Sequence, residues 1–194
     1  HLSRLAPLLS RDVRVLRTTD RLFADIADTQ TPQGVAALVR PRPSTMEDLL
    51  RGTPLVIVLV GVQDPGNVGT ILRAAEAFGA TGAATCSGGQ VGTADPLGPK
   101  ALRASAGSAL RLPILRGISL PVLLDQLRAL KLKVYAAVAG TDLSGNQASG
   151  NVPPLLLPWE IDWNSPAALL IGNEGSGLPE EIARASDARV SIPQ

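Results

Sequence analysis

Cysteine, histidine, aromatic residues and long apolar runs are all scarce in this chain of 194 residues. A single cysteine, Cys86, excludes an intrachain disulfide and fits a reducing compartment, the cytoplasm. A single histidine, His1, leaves no His/Cys cluster for a metal and no Ser-His or Cys-His nucleophile pair. Most hydrolase classes fall with that absence. No apolar run reaches the ~18 residues of a membrane span, and no signal peptide is visible. Aromatics are 3% of the chain against 45% hydrophobic residues, so the core is expected to be aliphatic. The net charge is only +1, so any nucleic-acid contact must come from a local patch. The basic residues are 15 Arg and 3 Lys, a bias toward bidentate phosphate contacts that a G+C-rich genome also produces. With its only Met at position 46 and an end at Ser191-Ile192-Pro193-Gln194, the chain reads as a fragment trimmed at both ends.

What is present is organised around Leu55 to Gly79. The apolar run Leu55 to Val60 has the length and β-branched content of a strand buried on both faces. A polar loop, Gln63-Asp64-Pro65-Gly66-Asn67, follows it. A helical pattern then runs to Phe78 and stops at Gly79, a favourable residue just past a helix end. Val68, Ile71, Leu72, Ala75 and Phe78 have the spacing of a core-facing stripe. Arg73 points away from that stripe, with Gly69, Thr70 and Ala77 on its side. A lone arginine among small residues reads either as a solvated side chain or as an approach point for RNA, a ligand or a second subunit.

Taken in order, the first 23 residues carry Arg4, Arg11, Arg14, Arg17 and Arg21 against Asp12 and Asp20. This is a solvated face or a phosphate-contacting one. Val13 to Leu16 and Val35 to Val39 are expected as short strands, with a helix capped by Thr18-Thr19-Asp20 and running to Asp28. Arg40-Pro41-Arg42-Pro43-Ser44 is the linker candidate. Ser44 or Thr45 caps a helix over Met46 to Leu50. Further strands are expected at Ala80 to Cys86, Leu112 to Leu115, Lys133 to Ala139, Ala167 to Ile171 and from Val190. Helices are expected from Lys100 to Ser108, from Pro121 to Leu130, and after Pro179. Loops fill Ser87 to Pro99 and Gly140 to Pro154. This alternation gives an α/β domain with a mostly parallel sheet and helices on both faces.

Two glycine-rich turns, at 61–69 and 172–177, follow buried strands, and neither matches a dinucleotide or Walker A pattern. A Rossmann reading also fails because Cys86, not an acidic residue, ends the second strand. Asn67 and Glu174 stand inside these turns, either as helix or turn caps or as site groups. Asp64-Pro65-Gly66-Asn67-Val68-Gly69 with Arg73 resembles the first signature of the SpoU (TrmH-like) RNA 2′-O-ribose methyltransferases of the SPOUT superfamily. Ile171-Gly172-Asn173-Glu174-Gly175-Ser176-Gly177-Leu178 resembles the second. Pro99-Lys100, Arg103-Ala104-Ser105 and Gly107-Ser108 resemble the segment between them, and Ile192-Pro193 the start of the third. The segment Asp28-Thr29-Gln30-Thr31-Pro32-Gln33-Gly34-Val35 is similar to the end of an L30-like substrate-binding domain.

The resemblance implies residues 1–40 as a partial α+β L30-like module, 41–52 as linker and short helix, and 53–194 as a methyltransferase domain ending in a deep trefoil knot. It implies S-adenosylmethionine as cofactor, lined by Ala139, Gly140, Ile171, Gly172, Asn173, Ile192 and Pro193. Arg73, Asn67 and Glu174 become the catalytic set, with Glu174 bracing the knot loops or Arg73. Arg73, Lys100, Arg103, Ser105, Arg14 and Arg17 become the RNA contacts, and the chain a homodimer without a metal. The implied substrate is structured RNA, rRNA before tRNA. A catalytically silent RNA-binding or ribosome-assembly protein of the same fold is the alternative, and a Ser-x-Asn after Gln194 discriminates between them.

Overall fold

The structure, a computed structural model, describes residues 7, 13–27, 29, 31–87, 91–140 and 152–193. Expectations on His1, Arg4, Arg11, Asp12, Asp28, Gln30, Gln194 and most of the 140–154 loop therefore lie outside the described residues. The chain divides into two compact units, His1–Pro41 and Arg42–Gln194.

Among the described residues of the first unit, helix α1 (Asp20–Ile26) is capped by Thr19, whose hydroxyl accepts from the Leu22 N–H. No residue of α1 is buried. The strands expected at 13–16 and 35–39 do not form: both segments are irregular, and Val13, Leu16, Val35, Leu38 and Val39 are exposed. Their β-branched content supplies propensity, but a strand exists only with a ladder partner, and none is present among the described residues of this unit.

The second unit opens with α2 (Met46–Leu49), closed by a Thr45–Asp48 capping box, and buries Leu49 completely. Among the described residues seven strands follow, all parallel: β1 (Leu55–Val60), β2 (Gly82–Cys86), β3 (Ile114–Ile118), β4 (Lys133–Ala137), β5 (Leu155–Leu156), β6 (Ala167–Ile171) and β7 (Ala188–Val190). Their spatial order is β3-β2-β1-β6-β4-β7-β5. β3 and β7 are displaced by about two residues from their expected starts, and β5 was not anticipated. Between the strands lie α3 (Pro65–Ala77), α4 (Pro99–Ala104), α5 (Ser108–Arg111), α6 (Leu120–Ala129) and α7 (Glu180–Ala185).

Side chains of β1 alternate between two cores. Val56, Val58 and Val60 pack with Leu49 and with Leu120, Leu123, Leu124 and Leu127 of α6. Ile57 and Leu59 pack with Val68, Leu72 and Ala75 of α3 and with Ala101 and Ala109. Helices thus cover both faces, and each fully buried Val or Leu contributes about 1.5–3 kcal/mol. Tyr135, Ile161, Ala167, Ala188 and Val190 form a third cluster, where the Tyr135 and Trp163 rings lie 5.5 Å apart. Phe78 does not join the α3 stripe: it is the residue at which the helix ends, and it is 86% exposed.

The chain winds outward from β1 to β2 and β3, returns to β4, and later inserts β6 between β1 and β4. A crevice beyond the carboxyl ends at such a change of direction is where open parallel sheets take their ligands. The turns at 61–69 and 172–177 leave β1 and β6 at that edge.

Candidate active site

Helix α3 starts at Pro65, whose fixed φ suits the first turn. Asp64 caps it, its carboxylate accepting from the Gly66 and Asn67 N–H groups. The other Asp64 oxygen takes an ion pair from Lys100 Nζ at 3.0 Å, and this bond and the cap hold the Asp64 carboxyl below its ordinary value. Asn67 is left exposed in the first turn.

Glu174 reaches across to this turn from the loop after β6. Asn67 Nδ2 donates to Glu174 Oε1 at 3.0 Å. The Asp64 N–H donates to the same oxygen at 3.2 Å, and the Gln63 N–H to Oε2 at 3.3 Å. The Asn67 amide is the largest cause, and backbone N–H groups assist, in lowering the Glu174 carboxyl below its ordinary value. Asn173 adds a second tie, donating from Nδ2 to the Gly61 carbonyl at 2.9 Å. Its Oδ1 accepts from the Gly175 and Ser176 N–H groups at 2.9 and 3.0 Å, which shapes its own turn.

That turn is closed by paired backbone bonds between Asn173 and Gly177. Gly172 lies against it so closely that a Cβ there would stand 2.3 Å from the Gly177 carbonyl carbon. Only glycine fits.

Arg73 lies on α3 six residues beyond Asn67, about 9 Å along the axis. It is exposed and makes no hydrogen bond or ion pair among the described residues, so Glu174 braces the 63–67 turn and not Arg73. The small-residue face beside Arg73 is partly covered by the chain's own α4. A Cβ on Gly69 would lie 2.3 Å from the Ala101 carbonyl oxygen and 2.7 Å from Ala104 Cβ. Thr70 and Ala77 remain exposed.

Ser105 is a correction to the set expected to touch RNA. It is fully buried, and its hydroxyl donates to the Leu102 carbonyl at 2.9 Å, because the α3–α4 contact leaves it no route to the surface. Lys100 and Arg103 are exposed on α4, and Arg14 and Arg17 are exposed in the first unit.

The residues expected around a cofactor fall at three neighbouring strand ends. Ile171 ends β6 and Gly172 and Asn173 follow it, Ala139 and Gly140 follow β4, and Ile192 and Pro193 follow β7. β6, β4 and β7 are consecutive in the sheet. The Ser191 hydroxyl donates to the Gly140 carbonyl at 2.5 Å, joining two of these ends. A separate cleft of about 370 Å³ opens beyond β2 and β3, lined by Thr85, Thr93, Asp95 and Arg116. The described residues hold no group of three or more potential metal ligands and no helix long and apolar enough to cross a membrane.

Residues 54–194 match the model of the SpoU rRNA Methylase family. The chain is 36% identical over 194 residues to an uncharacterized tRNA/rRNA methyltransferase of Synechocystis, covering 96% of this chain and 62% of that protein. It is 29% identical over 191 residues to the 23S rRNA (guanosine(2553)-2′-O)-methyltransferase RlmP of Bacillus subtilis, covering 98% and 68%. Its fold is similar to an AdoMet-bound rRNA methyltransferase from Sinorhizobium meliloti, with a TM-score of 0.73, 31% identity, and coverage of 91% of this chain and 61% of that one. The chain therefore spans roughly three-fifths to two-thirds of the length of these proteins. With the family match extending over most of the chain and both glycine-rich turns inside it, the chain belongs to the SpoU rRNA Methylase family.

Proposed function

We propose that this chain carries the catalytic domain of an RNA ribose 2′-O-methyltransferase that uses S-adenosylmethionine and acts on structured RNA, rRNA before tRNA. The observation that carries the reading is the Glu174–Asn67 clamp, which joins the two signature turns at the carboxyl edge of β1 and β6 and sets the start of the helix bearing Arg73.

The backbone-rich segments after β4, β6 and β7 suit a nucleoside ligand, which backbone N–H and C=O groups recognise where glycine lets the chain come close. Ala139, Gly140, Ile171, Gly172, Asn173, Ile192 and Pro193 would hold it. When bound, the cofactor supplies a methyl group on a sulfonium that leaves as a neutral thioether. The protein's own task is to hold a ribose 2′-hydroxyl in line with that methyl carbon and to ease loss of its proton. A guanidinium, with a pKa above about 12, is a poor base. Arg73 instead holds a phosphate oxygen or the developing alkoxide, where a fixed positive charge lowers the barrier. Glu174 and Asn67 position rather than react, since their facing atoms are engaged with each other.

The same reading includes a trefoil knot built from the loops after β4, β6 and β7, with the closed Asn173–Gly177 turn and the Ser191–Gly140 bond in its support. It divides the chain into an L30-like module at 1–40, a linker and short helix at 41–52, and the methyltransferase domain at 53–194. Arg14 and Arg17 of the module and Lys100 and Arg103 of α4 supply RNA contacts. A cytoplasmic homodimer belongs to it as well, with Thr70, Ala77 and Phe78 on the uncovered side of α3 available to a second subunit.

The test is transfer of labelled methyl from S-adenosylmethionine to rRNA and, separately, to tRNA by the full-length protein. Incorporation into rRNA at a ribose is expected. A folded protein that methylates neither RNA sinks the reading, and transfer to tRNA alone overturns the choice of substrate.

A further inference from the structure

Thr93 lies inside the family match but outside the signature-like motifs, and its hydroxyl sits at the junction of three chain segments. It accepts from the Gly61 N–H at 2.9 Å. It stands 2.6 Å from the Cys86 carbonyl and 3.0 Å from the Leu59 carbonyl, so its one proton bridges the ends of β1 and β2. The next residue extends the tie, because the Ala94 N–H donates to the Val62 carbonyl at 2.8 Å. Gly61 is buried, and its carbonyl is the group that takes the Asn173 amide. Gly61 and Val62 are thus gripped from one side by Thr93 and Ala94 and from the other by Asn173. The next two residues, Gln63 and Asp64, give their N–H groups to Glu174.

We propose that Thr93 is a positioning residue for methyl transfer: it fixes the Gly61–Asp64 turn so that Asn67, Glu174 and the start of the Arg73 helix are set for reaction. The inference rests on the methyltransferase reading for its catalytic half and on this hydrogen-bond junction for its structural half. Valine at 93 keeps the shape but takes one hydrogen-bond partner each from the Gly61 N–H, the Cys86 carbonyl and the Leu59 carbonyl. Gly61 still has the Cys86 carbonyl at 3.2 Å, so the fold persists while the turn loosens. Serine keeps the hydroxyl.

The experiment compares Thr93→Val and Thr93→Ser in the full-length protein, by steady-state methyl transfer to RNA and by amide hydrogen exchange. For Thr93→Val, kcat is expected to fall about 10- to 100-fold, as for a small misplacement of reacting groups. KM for cofactor and RNA should stay within about twofold, the pattern of a contact that matters in the transition state. Exchange should quicken at Gly61 to Asp64, and Thr93→Ser should recover most of both properties. Wild-type kcat in Thr93→Val, a loss confined to KM, or equal losses in the Val and Ser variants each overturn the proposal. If Thr93→Val does not fold, Thr93→Ala removes the same hydroxyl and takes its place. If the wild type transfers no methyl, the enzymatic reading fails on its own, and unchanged exchange at Gly61 to Asp64 in the hydroxyl-free variant then overturns the positioning role.

Discussion

Two glutamates attend the two ends of α3, and they are held in opposite ways. Near its end, Glu76 takes both oxygens to one cation, with Arg111 Nε and Nη2 each at 2.7 Å. That pair, led by the Arg111 hydrogen bonds, brings the Glu76 carboxyl down to about 2. At its start, Glu174 is held entirely by neutral N–H donors, from Asn67, Gln63 and Asp64. Both carboxyls are lowered, but only one consumes a positive charge. The difference bears on Arg73, which lies three residues before Glu76 on the same helix, a spacing at which oppositely charged side chains pair. Arg111 occupies Glu76 first, and Glu174 needs no cation. Arg73 keeps its charge uncommitted among the described residues, which suits the RNA-facing role proposed for it.

The largest effect is expected at Arg73 itself. Arg73→Ala is expected to lower methyl transfer about 100- to 1000-fold, the range for one lost charge-stabilising donor. Cofactor binding, measured by calorimetry, should be largely kept. Loss of both would mean that Arg73 supports the fold and not the reaction.

Glu174→Gln comes next. The glutamine offers one acceptor oxygen where two are used, and its amide turns an N–H toward a backbone N–H. A fall of about 10- to 100-fold in kcat is expected from the displaced turn. Full activity in this variant would show that the clamp between the two signature turns is dispensable.

The Glu76 end gives the smallest effects and sharpens the logic. Arg111→Met frees Glu76 to draw in Arg73, so activity should fall modestly, and Glu76→Gln in the same background should restore it. No restoration would show that Glu76 and Arg73 do not compete. In acid, a lowered carboxyl contributes stability that is fully present above the ordinary glutamate value of 4.5 and is lost as pH falls toward about 2. Thermal midpoints of Glu76→Gln should therefore decline less than wild type across that window, and parallel curves would remove the ion pair's role.

The sequence made the central layer of this molecule readable because burial on both faces leaves an unambiguous trace. The run Leu55 to Val60 and the run Ala167 to Ile171 have little choice but to be inner strands. Pro65 and Gly79 bracket α3 in plain view. Phe78 misled because helical spacing does not know where a helix stops: the stripe continued one residue past the last turn. β5 was invisible because three leucines between prolines carry no period, and two of them become a strand only by pairing with β7. The strands expected at 13–16 and 35–39 show the converse, propensity without a partner.

At the site, the residue types were legible and their mutual contacts were not. Asn67 and Glu174 are 107 positions apart, and nothing local in either turn says that they meet. Ser105 entered the set through the resemblance of its segment, which says nothing of burial, and α3 packs over it. Thr93 had no signal at all in a loop of glycine, threonine and proline. Its role appears only once β1 and β2 are side by side.

The strand order has a temporal consequence. β1 pairs with β2, which follows it closely, but its other neighbour is β6, which is made only after β2, β3, β4 and β5. A ribosome synthesising this chain therefore releases β1 with one edge satisfied and one edge open, and the open edge waits for about a hundred further residues. Glu174 leaves the ribosome just after β6, so Asn67 meets its partner only when most of the domain has emerged. Contacts so distant in sequence form slowly. The nascent protein accordingly carries its signature residues long before it has a site, and a cell that makes it holds an incomplete edge strand, with the aggregation risk of one, until β6 slots in.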